Sequence, residues 1–319
     1  MDNPATLVPS TIKGMHHIGI AVSDVEESVN FYQSVTALER HKQDNIAGYL
    51  PEPCENSAVL KGPNGHLQLM QFAGDTDLTE VPVAGPGVTH LCLQSPAEDA
   101  LFNQFLTNGA TSVSKGGQPI DLNGQGVHYG YARDADNIMF EIEQLAEPRF
   151  EGPIWIAHIA LVTPDLDRSV AFYRHLLGVE TYGHANKVMG KRFDEVTGIE
   201  DVRVRVAWFN TGNMVLEIWE YVNPRTPDPD EPLPFSKLGY NKIALEVDDL
   251  HAELLRIKHM GVECLNEPEE VNGVTEIYFR DPDGNLLSLL EPTDNAQVSV
   301  SNLAQISWLP SPSNPTAGN

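Results

Sequence analysis

Apolar and polar positions alternate along short runs of this chain, and four of those runs are near copies. "MHHIGIAV" from Met15, "GVTHLCL" from Gly87, "IAHIALV" from Ile156 and "YNKIALEV" from Tyr240 each read as an amphipathic strand. Three of them put a histidine (His17, His90, His158) where a core strand would carry an aliphatic, and the fourth puts Lys242 there. A helical period follows each strand. "VEESVNFYQSVTALE" places Val25, Val29, Tyr32 and Val35 on one face, with Ser23 or Asp24 as cap, and "LDRSVAFYRHLLGVE" repeats the pattern with Leu166, Val170, Tyr173 and Leu176. "AEDALFNQFLTNGA" and "LHAELLRIKHMGVE" are the other two copies, with Gly109 and Gly261 as C-terminal signals. Each unit closes on a further strand: "GHLQLMQF", "NIMFEIEQ", "NMVLEIWEY" or "NLLSLLEP".

The spacing within the units points to duplication. His17 to Gln68 spans 51 residues and His90 to Glu141 also spans 51; His158 to Glu217 spans 59 and Lys242 to Ser288 spans 46. Four β-α-β-β-β units are therefore expected over 13–72, 86–145, 154–221 and 238–292. The fold class is α+β. Two domains are expected, 13–145 and 154–292, each pairing its two units into a curved, partly open sheet around a cavity. "AEPRFEGP" separates the halves, "NPRTPDPDEPLP" is a proline-rich connection inside the second, and 293–319 forms a tail.

Composition narrows the partners. The formal net charge of −25 argues against nucleic acid and anionic membrane surfaces. Three scattered cysteines (Cys54, Cys92, Cys264) make no CxxC pair, as in a reduced compartment, and no apolar run approaches the ~18 residues of a membrane span. With no basic-then-apolar leader in "MDNPATLVPSTIKG", a cytoplasmic location is expected, as a monomer or homodimer acting on a small molecule.

Side chains of a strand alternate faces, so a histidine in the first strand and a Gln or Glu in the last can share one concave side. Within the first half that brings together His17, Gln68, His90 and Glu141, a mixed N/O set suited to one divalent ion, Fe, Co, Ni, Mn or Zn. His16 alternates to the opposite face. In the second half Lys242 and Ser288 replace a ligand pair, so the expected site there is degenerate, with Lys242 standing in for the cation beside Glu217. Glu143 and His66, two residues from Glu141 and Gln68, are candidates to move protons, with Tyr129 and His128 as further pocket residues.

The "H-[IL]-x-[IL]" strands, the "D-[VL]-[ED]-x-S-V-x-F-Y" helices and the closing turns "RDADNIMFEIEQ" and "RDPDGNLLSLLEP" resemble the vicinal oxygen chelate superfamily. That superfamily includes glyoxalase I, methylmalonyl-CoA epimerase, bleomycin- and fosfomycin-resistance proteins and extradiol dioxygenases. The resemblance covers roughly 15–292 and implies His17, His90 and Glu141 as metal positions, with Gln68 on the fourth. It implies a metal-dependent isomerase, epimerase or lyase acting through proton transfer on a substrate chelated by vicinal oxygens. Two alternatives accompany it: an Fe(II) ring-cleaving dioxygenase, for which Tyr131 occupies an acid–base position, and a protein that sequesters an antibiotic without turnover.

Overall fold

The computed structural model describes residues 8–48, 50–74, 78–229, 231–294 and 296–304. The first unit contains β1 (Ile12–Ala21), α1 (Val25–Val35), β2 (Glu39–Arg40), β3 (Cys54–Lys61) and β4 (His66–Phe72). The second contains β5 (Gly87–Pro96), α2 (Leu101–Thr107), β6 (Thr111–Ser112), β7 (Ile120–Asp121), β8 (Val127–Arg133) and β9 (Met139–Leu145). The third contains β10 (Trp155–Val162), α3 (Leu166–Leu177), β11 (Gly183–Met189), α4 (Lys191–Thr197), β12 (Arg203–Asn210) and β13 (Val215–Asn223). The fourth contains β14 (Gly239–Val247), α5 (Leu250–His259), β15 (Glu269–Val271), β16 (Val274–Arg280) and β17 (Leu286–Pro292).

The same local chemistry starts three of the main helices. Asp24, Asp165 and Asp249 each sit in extended backbone, and each carboxylate accepts from the amide three residues on. The second unit lacks that aspartate. Ala100 precedes α2 in left-handed backbone without a side-chain cap, and the helix is only seven residues long.

The fold is α+β with two open sheets, each formed by a pair of units, but the pairs do not follow chain order. One sheet runs β15-β16-β17-β14-β1-β4-β3-β2, joining the first and fourth units. The other runs β11-β12-β13-β10-β5-β9-β8-β6, joining the second and third. Each sheet is centred on an antiparallel pair of first strands, β1 with β14 and β5 with β10. Pairing within each half, expected from sequence, is thus corrected to pairing across the halves.

A repeated motif pair links the two units of each half. The hydroxyl of Tyr32 on α1 donates to Asp134 in the closing turn of the second unit at 2.5 Å, and Tyr173 on α3 donates to Asp281 in the turn of the fourth at 2.8 Å. Each aspartate also accepts backbone amides of its own turn: Asp136 and Ile138 in one case, Asp283 and Asn285 in the other. The "FY" and "RD" motifs are therefore two ends of one buried contact.

The apolar faces of both sheets share one core with α1, α2, α3 and α5. Ile18 and Ile20 of β1, Leu91 and Leu93 of β5, Ile159 of β10 and Leu245 of β14 all belong to it. With one face of each sheet committed to that core, the polar residues of the first strands are confined to the other, concave face. Among the described residues no helix is long and apolar enough to cross a membrane, and the three cysteines are free. The tail is described to residue 304; Val298 to Val300 are buried, and the remainder lies outside the described residues.

Candidate metal centre

At the centre of the second sheet, His90 on β5 pairs with Ala160 on β10, and His158 on β10 pairs with Cys92 on β5. The two histidines are thereby related by a local twofold axis between the strands. The flanking parallel strands supply Glu141 opposite Cys92 and Glu217 opposite Ala160. His158 Nε2 lies 2.9 Å from Glu141 Oε2 and 3.0 Å from Glu217 Oε2, and His90 Nε2 lies 3.4 Å from Glu141 Oε2. One ligand atom from each of the four residues falls within 4.8 Å of all the others, and all four residues are buried.

Those atoms fit a metal better than they fit one another. His90 Nε2, His158 Nε2 and Glu217 Oε2 are buried and close to opposite charge, yet among the described residues none makes a hydrogen bond of acceptable geometry. Buried polar groups without such bonds are rare. Lone pairs that converge on a point and miss each other are the arrangement a cation requires, and two imidazoles with two carboxylates suit a first-row divalent ion.

The surroundings orient the set. Thr89 Oγ1 is 3.1 Å from His90 Nδ1, the far ring nitrogen, and Trp208 Nε1 donates to Glu217 Oε1 at 2.5 Å. Tyr131 faces Glu141 across β8 and β9, with its ring centroid 5.1 Å from that of His90. Burial opposes ionisation of Glu141, but the contacts with His158 and His90 prevail and hold its carboxyl at about 2. Burial likewise disfavours imidazolium at His158, and Glu217 and Glu141 overcome it, raising the ring to about 9. Glu143 behaves oppositely: burial, then the neighbouring charge of Glu141, pushes it up to about 7. Its carboxylate accepts from Gln94 Nε2 at 2.6 Å. Cys92, Glu141, Glu143 and His158 also form a group with ligand atoms within 4.8 Å, so Glu143 borders the centre directly.

The other sheet carries the remaining expected residues. His17 pairs with Ala244, Gly19 with Lys242, Gly19 with Gln68 and Ala244 with Ser288. Register for register, Lys242 stands for His90, Ser288 for Glu141, His17 for His158 and Gln68 for Glu217. The set His17, Gln68, His90 and Glu141 is therefore not assembled: His17 and Gln68 belong to the degenerate position, His90 and Glu141 to the complete one. His158 and Glu217, assigned from sequence to a damaged half, complete that centre instead.

Lys242 corrects a second expectation. Its ammonium is fully buried and meets Glu276 Oε1 and the Tyr278 hydroxyl, each at 3.1 Å, rather than Glu217. His66 shares its sheet with His16, ring centroids 6.3 Å apart, and does not reach the four-ligand group. His16 is also not on the opposite face. A bulge between Met15 and His17 rotates it beside its neighbour, with the two Nδ1 atoms 2.8 Å apart. Tyr129, partly buried, faces Glu143 across the strands, whereas His128 pairs with Gln144.

Comparison with known proteins agrees with this architecture. A mitochondrial methylmalonyl-CoA epimerase of Homo sapiens is 24% identical over 147 residues, covering 44% of this chain and 77% of that protein. A 2-epi-5-epi-valiolone epimerase of Actinomyces is 30% identical over 150 residues, 44% of this chain and 80% of that one. A lactoylglutathione lyase of Arabidopsis thaliana is 22% identical over 285 residues, 87% and 91% of the two chains. Among solved structures, glyoxalase I of Zea mays shares the fold with a TM-score of 0.62 at 20% identity, covering 87% of this chain and 92% of that one. Residues 14–142 and 155–289 match the family model for these proteins, and the chain belongs to the Glyoxalase/Bleomycin resistance protein/Dioxygenase superfamily.

Proposed function

We propose that the protein is a divalent-metal-dependent isomerase, epimerase or lyase that moves a proton on a small substrate chelated through two vicinal oxygens. The observation that carries this reading is the convergence of His90, Glu141, His158 and Glu217, with the facing atoms of His90, His158 and Glu217 unpaired among the described residues, bordered by the buried carboxyl of Glu143. A divalent ion held there supplies Lewis acidity, which lowers the barrier to negative charge developing on a substrate oxygen.

The chain's own residues supply the rest. His90 and His158 orient through their Nε2 atoms, with Thr89 beside the far nitrogen of His90. Glu217 is fixed by Trp208, which leaves it a holding group. Glu143 accepts from Gln94 at 2.6 Å and lies two residues beyond Glu141 on the same strand, which supports it as the base that takes a proton from a substrate carbon and returns it. Tyr131 and the stacked Trp219 and Phe193 restrict water on the opposite flank. The relatives named above as epimerases and a lyase support redox-neutral chemistry.

Ring-cleaving dioxygenation is the runner-up, and Tyr131 beside His90 is the observation that favours it. Four protein ligands argue the other way, because a three-ligand set leaves more room for both substrate and oxygen. The test is proton exchange: protein reconstituted anaerobically with Co, Ni, Mn or Zn, incubated in D2O with a panel of small 2-oxo and 2-hydroxy compounds, and followed by NMR. Deuterium should enter the carbon next to the chelating oxygen, and Glu143→Gln should slow entry about 100-fold. Turnover that needs Fe(II) and consumes oxygen stoichiometrically would overturn the proposal.

A further inference from the structure

The four ligands obey the local twofold axis, but the positions two residues beyond the carboxylates break it. Beyond Glu141 on β9 stands Glu143; beyond Glu217 on β13 stands Trp219. One flank of the centre therefore carries an acid and the other an indole. Trp219 stacks on Phe193 of α4 with centroids 5.8 Å apart and on Tyr221 at 6.2 Å, and it meets His90 edge-on at 6.4 Å. Ala160, Val162, Val204 and Val206 extend the same apolar cluster.

Inside that cluster Trp219 is 7% exposed, and among the described residues its Nε1–H has no hydrogen-bond partner. The contrast with Trp208 is direct, since the indole of Trp208 is used by Glu217. An indole is a donor with no acceptor capacity, so an oxygen must come from elsewhere to satisfy Trp219. Among the described residues none accepts from it, the Tyr131 and Tyr221 hydroxyls of the same cluster included, and its ring lies 6.4 Å from that of His90, on the flank where a substrate chelated beside His90 brings oxygens.

We infer that Trp219 reads the substrate: its Nε1–H hydrogen-bonds a substrate oxygen, and the Phe193–Trp219–Tyr221 wall takes a flat apolar group attached to the chelating oxygens. The inference rests on the proposed metal centre and narrows it to a substrate class, aryl or conjugated 2-oxo or 2-hydroxy compounds in place of compact aliphatic ones. The asymmetry also sets the orientation of the substrate, with the proton-bearing carbon toward Glu143 and the apolar body toward Trp219.

Two chelators that differ in this one respect test it: acetohydroxamate and benzohydroxamate, titrated into the full-length protein loaded with Co(II) and followed by the visible cobalt spectrum. The wild type should bind benzohydroxamate at least tenfold more tightly. Trp219→Phe, which keeps a ring and removes the donor, should weaken both chelators about fivefold or more. Trp219→Ala should bring their affinities within twofold of each other while the cobalt spectrum without chelator is retained. Equal affinities in the wild type, or chelator binding by Trp219→Phe within twofold of the wild type, would overturn the inference and leave the metal centre standing. Absence of any cobalt spectrum in the wild type would instead overturn the centre itself, and this inference with it.

Discussion

His158 Nε2 lies 2.9 Å from Glu141 Oε2, although the two residues come from different halves of the chain. The contact exists because β10 pairs with β5 and β5 with β9, so the complete set of candidate ligands is built from the second and third units. The first and fourth units form the same frame with Lys242 and Ser288 in two of the ligand positions. One chain thus holds two equivalent positions, one where four candidate ligands converge and one that carries a buried lysine in their place.

Trp208 is expected to tune affinity without being a ligand. Its Nε1–H fixes one oxygen of Glu217 and turns the other toward the centre. Trp208→Phe should therefore weaken metal binding roughly 10-fold or more. Competition with a chromophoric chelator measures this; an unchanged dissociation constant would show that Glu217 needs no such support.

Lys242 should matter for stability and not for metal. Lys242→Met strands the buried Glu276 carboxylate, and loss of one partner of a buried pair costs about 3–5 kcal/mol. Lys242→Met combined with Glu276→Leu should recover much of that loss in urea unfolding, and both variants should keep the wild-type metal content. A double variant no more stable than the single one would remove the pair from the account.

The histidines of the same sheet make it acid-sensitive. Burial, then the nearby His16, depresses His66 from 6.5 to about 3, so it is neutral in the folded protein. Between those values the unfolded chain binds more protons, and stability falls as the pH drops from 6.5 toward 3. His66 should contribute a loss of about 2 kcal/mol by about pH 5. Urea midpoints measured across that range should fall less steeply in His66→Asn; an identical slope would locate the sensitivity elsewhere.

Much of this molecule was legible in its sequence, and the failure is instructive. Strand and helix periods and the Asp24 cap are local signals, and local physics fulfils them. Which first strand pairs with which is not a local property. β1 and β5 expose similar edges, and an order of units along the chain does not say that β1 takes β14. The residues themselves held the missing hint: the two units with both His and Glu are the second and third, and an ammonium at Lys242 disqualifies any set that includes the fourth. His16 escaped for a different reason. Strict alternation sends it away from His17, and a single bulged residue cancels that alternation.

The most direct measurement is metal content per chain in the purified protein and in five single variants. The wild type should carry one divalent ion. His90→Ala, Glu141→Ala and His158→Ala should each lose it, whereas His17→Ala and Gln68→Ala should retain it at full occupancy. Loss of the ion in His17→Ala with retention in His158→Ala would contradict a centre built across the halves.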